Sequence, residues 1–257
     1  MGANAANRRL HYIGVSGDGD TLSIGLGQFC HAIRRNLNML YIIENNGVYG
    51  LTKGQFSASA YIGTKAKKGE TNFQPPIDPV LLAMTLGASF VARSFSGDKT
   101  QLVPLIEAAI LHRGAAFIDC ISPCVAFNNH AGSTKSFDYV REHNDAVNRL
   151  DVITGRDPIT VDYAPGSVQV VEQHDGTKLA LRKIDADYDA HDRLAAMTFL
   201  QKHAAKGQVV TGLLYVDPDA DDLHAHLDTV ETPLNTLEAN DLCPGTTALD
   251  KINASLR

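Results

Sequence analysis

Residues 10–50, LHYIGVSGDGDTLSIGLGQFCHAIRRNLNMLYIIENNGVYG, decide the fold. Leu10 to Val15 is apolar with β-branched residues and reads as a strand. Ser16-Gly17-Asp18-Gly19-Asp20 reads as a turn, and Thr21 to Asn36 carries Leu22, Leu26, Phe29 and Ile33 at the spacing of one helix face. Met39 to Ile43 is a second short apolar run, the length of a buried strand. Strand, helix and strand in that order form a crossover unit. A connection this long joins parallel neighbours, and its hand is right.

On the C-terminal side, Glu44 to Pro76 has few periodic apolar residues and many Gly, Asn, Ser, Thr and Lys. A long loop region with room for one short helix is expected there, and such loops in compact domains are usually functional. Asp78 to Leu86 reads as a short helix with Asp78 as its cap and Pro79 in its first turn. Phe90 to Phe95 and Ala115 to Ile121 read as buried strands, separated by a helix from Lys99 to His112 that ends at Gly114. Phe137 to Leu150 has helical spacing. Beyond Asp151 the pattern shifts to short alternating runs. VQVVEQHDGTKLALRKI, with His174-Asp175-Gly176 near its centre, predicts a β-hairpin, and a helix follows near Asp192 to Ala205. The last 40 residues are acidic and irregular, suited to wrapping a partner subunit. The expected fold is therefore α/β, a mainly parallel sheet with helices on both faces over residues 1–150. Residues 151–257 form an extension that contains the hairpin and serves subunit contacts.

With 44% hydrophobic and 20% charged residues over 257 positions, the chain has the apolar material for a real core, which excludes disordered and collagen-like classes. Runs such as Leu37 to Ile43 fall far short of the roughly 18 residues of a membrane span. MGANAANRRLH has no apolar segment behind its arginines, so it is no secretory signal, and a cytoplasmic location is expected. Four cysteines (Cys30, Cys120, Cys124, Cys243) without a CxxC argue against a disulfide scaffold and for buried thiols or metal ligands. The net charge of −6 is uneven: residues 1–75 hold 8 Lys+Arg and 4 Asp+Glu, whereas 76–257 hold 15 and 25. The phosphate-friendly end is N-terminal, yet no basic stripe with aromatic interleaving is present, so nucleic acid is not expected as a partner.

The chemistry lies in two turns. Gly17-Asp18-Gly19-Asp20 follows the first strand and Asn45-Asn46 the second, with Asp18 and Asn46 28 positions apart. In a parallel sheet both lie at the carboxyl ends of adjacent strands, the edge where doubly wound folds bind ligands. One carboxylate, one amide oxygen and a nearby backbone carbonyl make a hard, oxygen-only partial shell suited to Mg²⁺ completed by phosphate oxygens and water. The glycines let backbone close on a diphosphate, and the following helix start adds free N–H groups. Rival readings fail on detail. A dinucleotide fingerprint needs glycine at position 22, where Leu22 stands; a P-loop needs GK[ST]; an EF-hand starting at Asp18 needs glycine and glutamate where Ser23 and Phe29 stand. A pair of ordinary tight turns is the plainer alternative.

GDG followed after that interval by NN resembles the thiamine diphosphate motif. The wider text GDGDTLSIGLGQFCHAIRRN…ENNGVYGLTKGQFS, with ISPCVAFNN, LRKIDADYDAHDR, TGLLYVD and ETPLN, resembles the β subunit of 2-oxoacid:ferredoxin oxidoreductases of the 2-oxoglutarate type. The resemblance implies a thiamine diphosphate-binding fold in which Asp18, the Asn46 side chain and the Val48 carbonyl hold Mg²⁺ against the diphosphate. Gly17, Gly19, Asp20, Gly50 and Leu51 would line the cofactor, with Leu51 under its bend. Lys53 would face the far carboxylate of a dicarboxylic 2-oxoacid. Cys124 would be one ligand of a 4Fe-4S cluster, while Cys30, Cys120 and Cys243 read as small buried hydrophobes. The implied reaction is oxidative decarboxylation of a 2-oxoacid, with coenzyme A taking the acyl group and ferredoxin the electrons. The glutamate that activates the cofactor would come from a partner α subunit, so this chain would supply no acid or base for that step.

The family pattern includes a further segment of several dozen residues ahead of the position where Met1-Gly2-Ala3 aligns, carrying the other cluster cysteines. The expectation is that this chain is incomplete or that another polypeptide supplies that part. Two other readings are a non-oxidative thiamine diphosphate-dependent 2-oxoacid decarboxylase, which uses no cluster, and a non-catalytic assembly subunit.

Overall fold

The computed structural model describes residues 1–50, 52, 54–64, 70–123, 159–173, 178–243 and 245–256. The predicted helix over Phe137 to Leu150 and the turn His174-Asp175-Gly176 lie outside them. Among the described residues, seven strands form one sheet in the order β1-β2-β6-β5-β9-β8-β7. They are β1 (Ile13–Gly17), β2 (Met39–Asn45), β5 (Phe90–Phe95), β6 (Ala115–Ile121), β7 (Val168–Glu172), β8 (Lys178–Lys183) and β9 (Gln208–Val216). β3 (Val48–Tyr49) and β4 (Gln55–Phe56) form a separate two-stranded ribbon, and a short helix, α1 (Gly2–Ala6), precedes β1.

The crossover unit is present: β1 pairs parallel to β2, with Ile13 opposite Leu40 and Gly17 opposite Glu44. β2 pairs parallel to β6 and β6 parallel to β5, so the carboxyl ends of all four strands lie on one edge. Alternation then sorts the side chains. Ile43, Phe117 and Val91 point to the face covered by α2 (Leu26–Arg34), α3 (Pro79–Thr85) and α5 (Arg193–Ala204). Leu40, Ile118, Phe90 and Ala92 point to the face covered by α4 (Lys99–Leu111), through Leu105 and Ala109. Helices therefore cover both faces, and Phe95, Phe117, Met84 and Leu214 are fully buried.

Helix starts follow their caps. Asp78 accepts from the Val80 and Leu81 amides with Pro79 in the first turn, Asp98 accepts from Gln101 N–H, and Asp192 from Ala195 N–H. The C-terminal hairpin forms, with Val168 opposite Arg182. Its second strand joins β9, and β9 enters the main sheet antiparallel to β5. Residues after 158 thus complete the same sheet that begins at β1.

Four expectations need correction. β1 starts at Ile13 and runs through Gly17, so Ser16 and Gly17 belong to the strand and not to a turn; the ladder continues because β2 itself runs on to Asn45. Thr21 to Asn36 is not one α-helix. Asp20–Ile24 is a π-helical turn closed by Gly25 N–H donating to the Asp20 carbonyl at 2.7 Å, and α2 begins after it. Among the described residues, Glu44 to Pro76 holds no helix but the β3–β4 ribbon, and Asn72 secures the loop after it. The Asn72 amide donates to the carbonyls of Ala60, Tyr61 and Gln74 at 2.8, 3.2 and 3.0 Å, satisfying backbone that no ladder reaches. The tail is not irregular: it holds α6 (Leu223–Leu227), α7 (Ala239–Leu242) and α8 (Gly245–Ser255). Because α7 and α8 bury no residue, Cys243 is exposed and not the buried hydrophobe expected. No helix among the described residues is long and apolar enough to cross a membrane.

Candidate functional site

The parallel register brings the two turns together at the carboxyl edge. Asp18, directly after β1, is 1% exposed. Its Oδ2 accepts from Gly47 N–H at 3.0 Å, from Ser59 Oγ at 2.5 Å and from Ser57 Oγ; its Oδ1 accepts from Asn46 N–H at 3.4 Å. Gly47 adopts φ +77°, which turns the chain so that two successive amides face the carboxylate. Asn46 Oδ1 accepts from its neighbour Val48 N–H at 3.1 Å, a local turn that holds the amide beside the ribbon strand carrying the Val48 carbonyl.

Asp18 forms no ion pair among the described residues. A buried carboxylate needs hydrogen-bond donors or a cation in place of water, and here the donors are two amides and two hydroxyls. Donors crowd Oδ2, while Oδ1 holds one long bond and keeps open lone pairs. That donor set fits a hard divalent cation: an oriented carboxylate oxygen, an amide oxygen and backbone carbonyl nearby, no soft ligand. No group of three or more His, Cys, Asp or Glu gathers among the described residues, so the remaining ligands of such an ion would come from phosphate and water.

Gly19 lies under the Tyr49 ring: a Cβ there would come within 2.6 Å of Tyr49 Cε1, while the Tyr49 hydroxyl donates to the Gly19 carbonyl at 3.0 Å. The turn after β1 and the ribbon are thereby locked face to face. Gly17 ends β1, Asp20 is exposed at the start of the π-helical turn, and Gly50 follows Tyr49 in the ribbon turn. Leu51, Lys53 and Cys124 lie outside the described residues.

The three described cysteines do not meet. Cys30 is half-buried on α2, Cys243 is exposed, and Cys120 is buried in β6. Burial, with Asp119 and Glu44 nearby, pushes the Cys120 thiol up to about 12, so it stays protonated and is a poor thiolate ligand. The described residues alone therefore do not fit an iron–sulfur cluster.

One cluster was missed in the sequence. Arg93 on β5 donates through Nε to Asp119 on β6 at 2.6 Å and through a terminal nitrogen to the α3 cap Asp78 at 2.6 Å. Asn45, ending β2, donates to the other Asp119 oxygen at 3.0 Å. Burial disfavours the guanidinium charge, but the Asp78 and Asp119 carboxylates outweigh it and hold Arg93 protonated. The signal was available: FVARSF and AAFIDCI each carry one charge at an inward position of a buried strand, and such charges are paired.

Against this geometry the comparisons are direct. Residues 1–120 match the family model of the thiamine pyrophosphate enzyme, C-terminal TPP binding domain. A 2-oxoacid:ferredoxin oxidoreductase subunit beta from Saccharolobus solfataricus is 41% identical over 160 residues, 62% of this chain and 50% of the relative. The chain is homologous to the β subunits of 2-oxoacid:ferredoxin oxidoreductases. A Sulfolobus sp β subunit of the same name is 35% identical over 201 residues, covering 78% of this chain and 60% of that one. The 2-oxoglutarate oxidoreductase subunit KorB of Mycobacterium tuberculosis is 38% identical over 167 residues, 65% and 43%. Among solved structures, the 2-oxoglutarate:ferredoxin oxidoreductase from Magnetococcus marinus with 2-oxoglutarate, coenzyme A and succinyl-CoA bound superposes with a TM-score of 0.65 at 28% identity. That match covers 100% of this chain and 71% of the other. The chain thus spans about half the length of the first curated relatives it matches. The α/β fold with a thiamine pyrophosphate-binding domain agrees with the expectation from the sequence.

Proposed function

We propose that this chain is the thiamine diphosphate-binding β subunit of a 2-oxoacid:ferredoxin oxidoreductase. With an α subunit it converts a 2-oxoacid, 2-oxoglutarate above others, to the acyl-coenzyme A and passes the electrons to ferredoxin. The observation that carries this reading is the buried Asp18 carboxylate, unpaired by any cation among the described residues and aimed across the sheet edge at the Asn46 turn. The homology to oxidoreductase β subunits and the likeness to an enzyme with 2-oxoglutarate and coenzyme A bound support the substrate class.

In this reading Asp18, the Asn46 side chain and the Val48 carbonyl hold Mg²⁺, and the ion anchors the diphosphate. Gly17, Gly19, Asp20, Gly50 and Leu51 line the cofactor. When bound, thiamine diphosphate supplies the nucleophilic carbon and the electron sink for decarboxylation. The residues of this chain bind and orient it: Tyr49 holds the Gly19 turn against the ribbon, and the amides of Asn46 and Gly47 hold the carboxylate in place. Lys53 faces the distal carboxylate of the substrate, and Cys124 contributes one ligand to a 4Fe-4S cluster. Asp18→Asn, tested by calorimetric titration of the assembled complex with Mg²⁺-thiamine diphosphate, is expected to abolish measurable binding. Unchanged affinity would refute the metal assignment.

A further inference from the structure

Asp18 is oriented by groups that would not themselves touch a metal. The Ser57 and Ser59 hydroxyls, 7% and 6% exposed, both approach Asp18 Oδ2, and their oxygens lie 2.9 Å apart. Ser59 Oγ also reaches Asn45 Oδ1 at 2.9 Å. Asn45 donates in turn to Asp119, which pairs with Arg93, which caps into Asp78 of α3. Close polar contacts thus lead from the candidate metal carboxylate toward a buried ion pair two strands away.

Proton counting sets the roles. Two hydroxyls carry two protons, while Asp18 Oδ2 and Asn45 Oδ1 can only accept. Ser59 therefore cannot donate to both acceptors at once. When both serines donate to Asp18, Oδ2 is saturated together with Gly47 N–H, which fixes the carboxylate and leaves Oδ1 as the oxygen open to a metal. The Asn45 orientation follows from its other end: its amide nitrogen must face the acceptor Asp119, which leaves its oxygen toward Ser59.

We propose that Ser57 and Ser59 are positioning residues for the Asp18 carboxylate, holding Oδ2 so that Oδ1 is left open toward a metal. The metal affinity of the site is then tuned by two loop serines that never contact the ion. This rests on the metal reading above and extends it to residues that would not touch the ion. Hydrogen-bonded partners of metal ligands typically alter affinity by about 10–100-fold when removed.

The test is the Mg²⁺ concentration that half-saturates thiamine diphosphate binding in the assembled complex, measured calorimetrically for Ser57→Ala, Ser59→Ala, Ser59→Thr and Asp18→Asn. The melting temperature of each cofactor-free complex is recorded beside it. We expect half-saturation to rise about 10–100-fold in Ser59→Ala and to return toward the parent value in Ser59→Thr, which restores the hydroxyl. Ser57→Ala should raise it in the same direction. If Asp18→Asn abolishes binding while both alanine variants keep the parent half-saturation, the proposal falls and the metal reading stands. Lower melting with unchanged half-saturation would mark the serines as structural and also overturn it. If Asp18→Asn itself binds normally, the metal reading is what fails.

Discussion

Replacing Arg93 by methionine removes the one cation in the buried cluster and tests whether charge pairing or packing holds the carboxyl edge of the sheet together. The Asp119 side chain is fully buried and would keep one donor, the Asn45 amide at 3.0 Å. Asp78 is 28% exposed and keeps its two helix-cap bonds, so it suffers less. The loss therefore concentrates on Asp119. Breaking a buried pair by removing one partner costs about 3–5 kcal/mol, because the other charge is left uncompensated. For a chain of this size each kcal/mol shifts melting by about 2–4 °C, so Arg93→Met should melt about 6–20 °C lower. Arg93→Met combined with Asp119→Leu leaves no buried charge between β5 and β6. It costs chiefly the Asn45 donor, about 1 kcal/mol, and should recover most of the loss. Thermal and urea unfolding of the cofactor-free protein read both. A single variant within about 1 kcal/mol of the parent, or a double variant no more stable than the single one, would refute the reasoning.

Gly19→Ala places a methyl 2.6 Å from the Tyr49 ring, so the ring must swing and carry the Val48–Tyr49 strand with it; weaker Mg²⁺-thiamine diphosphate binding with little change in melting is expected by calorimetry. Burial, opposed by Asp217, lowers the His112 pKa below its usual 6.5, and the ring lies 2.8 Å from Ser89 Oγ. The unfolded chain thus binds a proton more readily than the folded one, so the His112 contribution is complete above pH 6.5 and lost as pH falls through the lower folded value. Urea midpoints at several pH values should fall on acidification across that window, and less steeply in His112→Gln. Lys53→Ala should shift the preference of the assembled enzyme away from 2-oxoglutarate toward pyruvate, measured as the ratio of kcat/KM; an unchanged ratio removes Lys53 from substrate recognition.

Local pattern carried far in this chain. Phe90–Phe95 and Ala115–Ile121 form as strands at the boundaries read from their apolar runs, and Asp78 and Asp192 cap the helices they precede. The ribbon at Val48 and Gln55 was invisible because two-residue strands have no period to detect. The π-helical turn was hidden because Leu22, Phe29 and Ile33 are buried at spacings an uninterrupted helix would also give. The pairing of β9 beside β5 joins segments more than a hundred residues apart, and nothing local encodes it.

For the site the division is sharper. Sequence by itself determined the residue types and the order of the two turns, because a crossover unit places consecutive parallel strands with their carboxyl ends together. It thereby named Asp18 and Asn46. Tertiary structure alone decided what surrounds them: Ser57 and Ser59 arrive from a loop, Arg93 and Asp119 from strands nearer the middle of the sheet, and Tyr49 closes over Gly19. Those partners are set by packing and by the demand that every buried polar atom find a mate, a demand that acts through space and leaves little periodic trace along the chain.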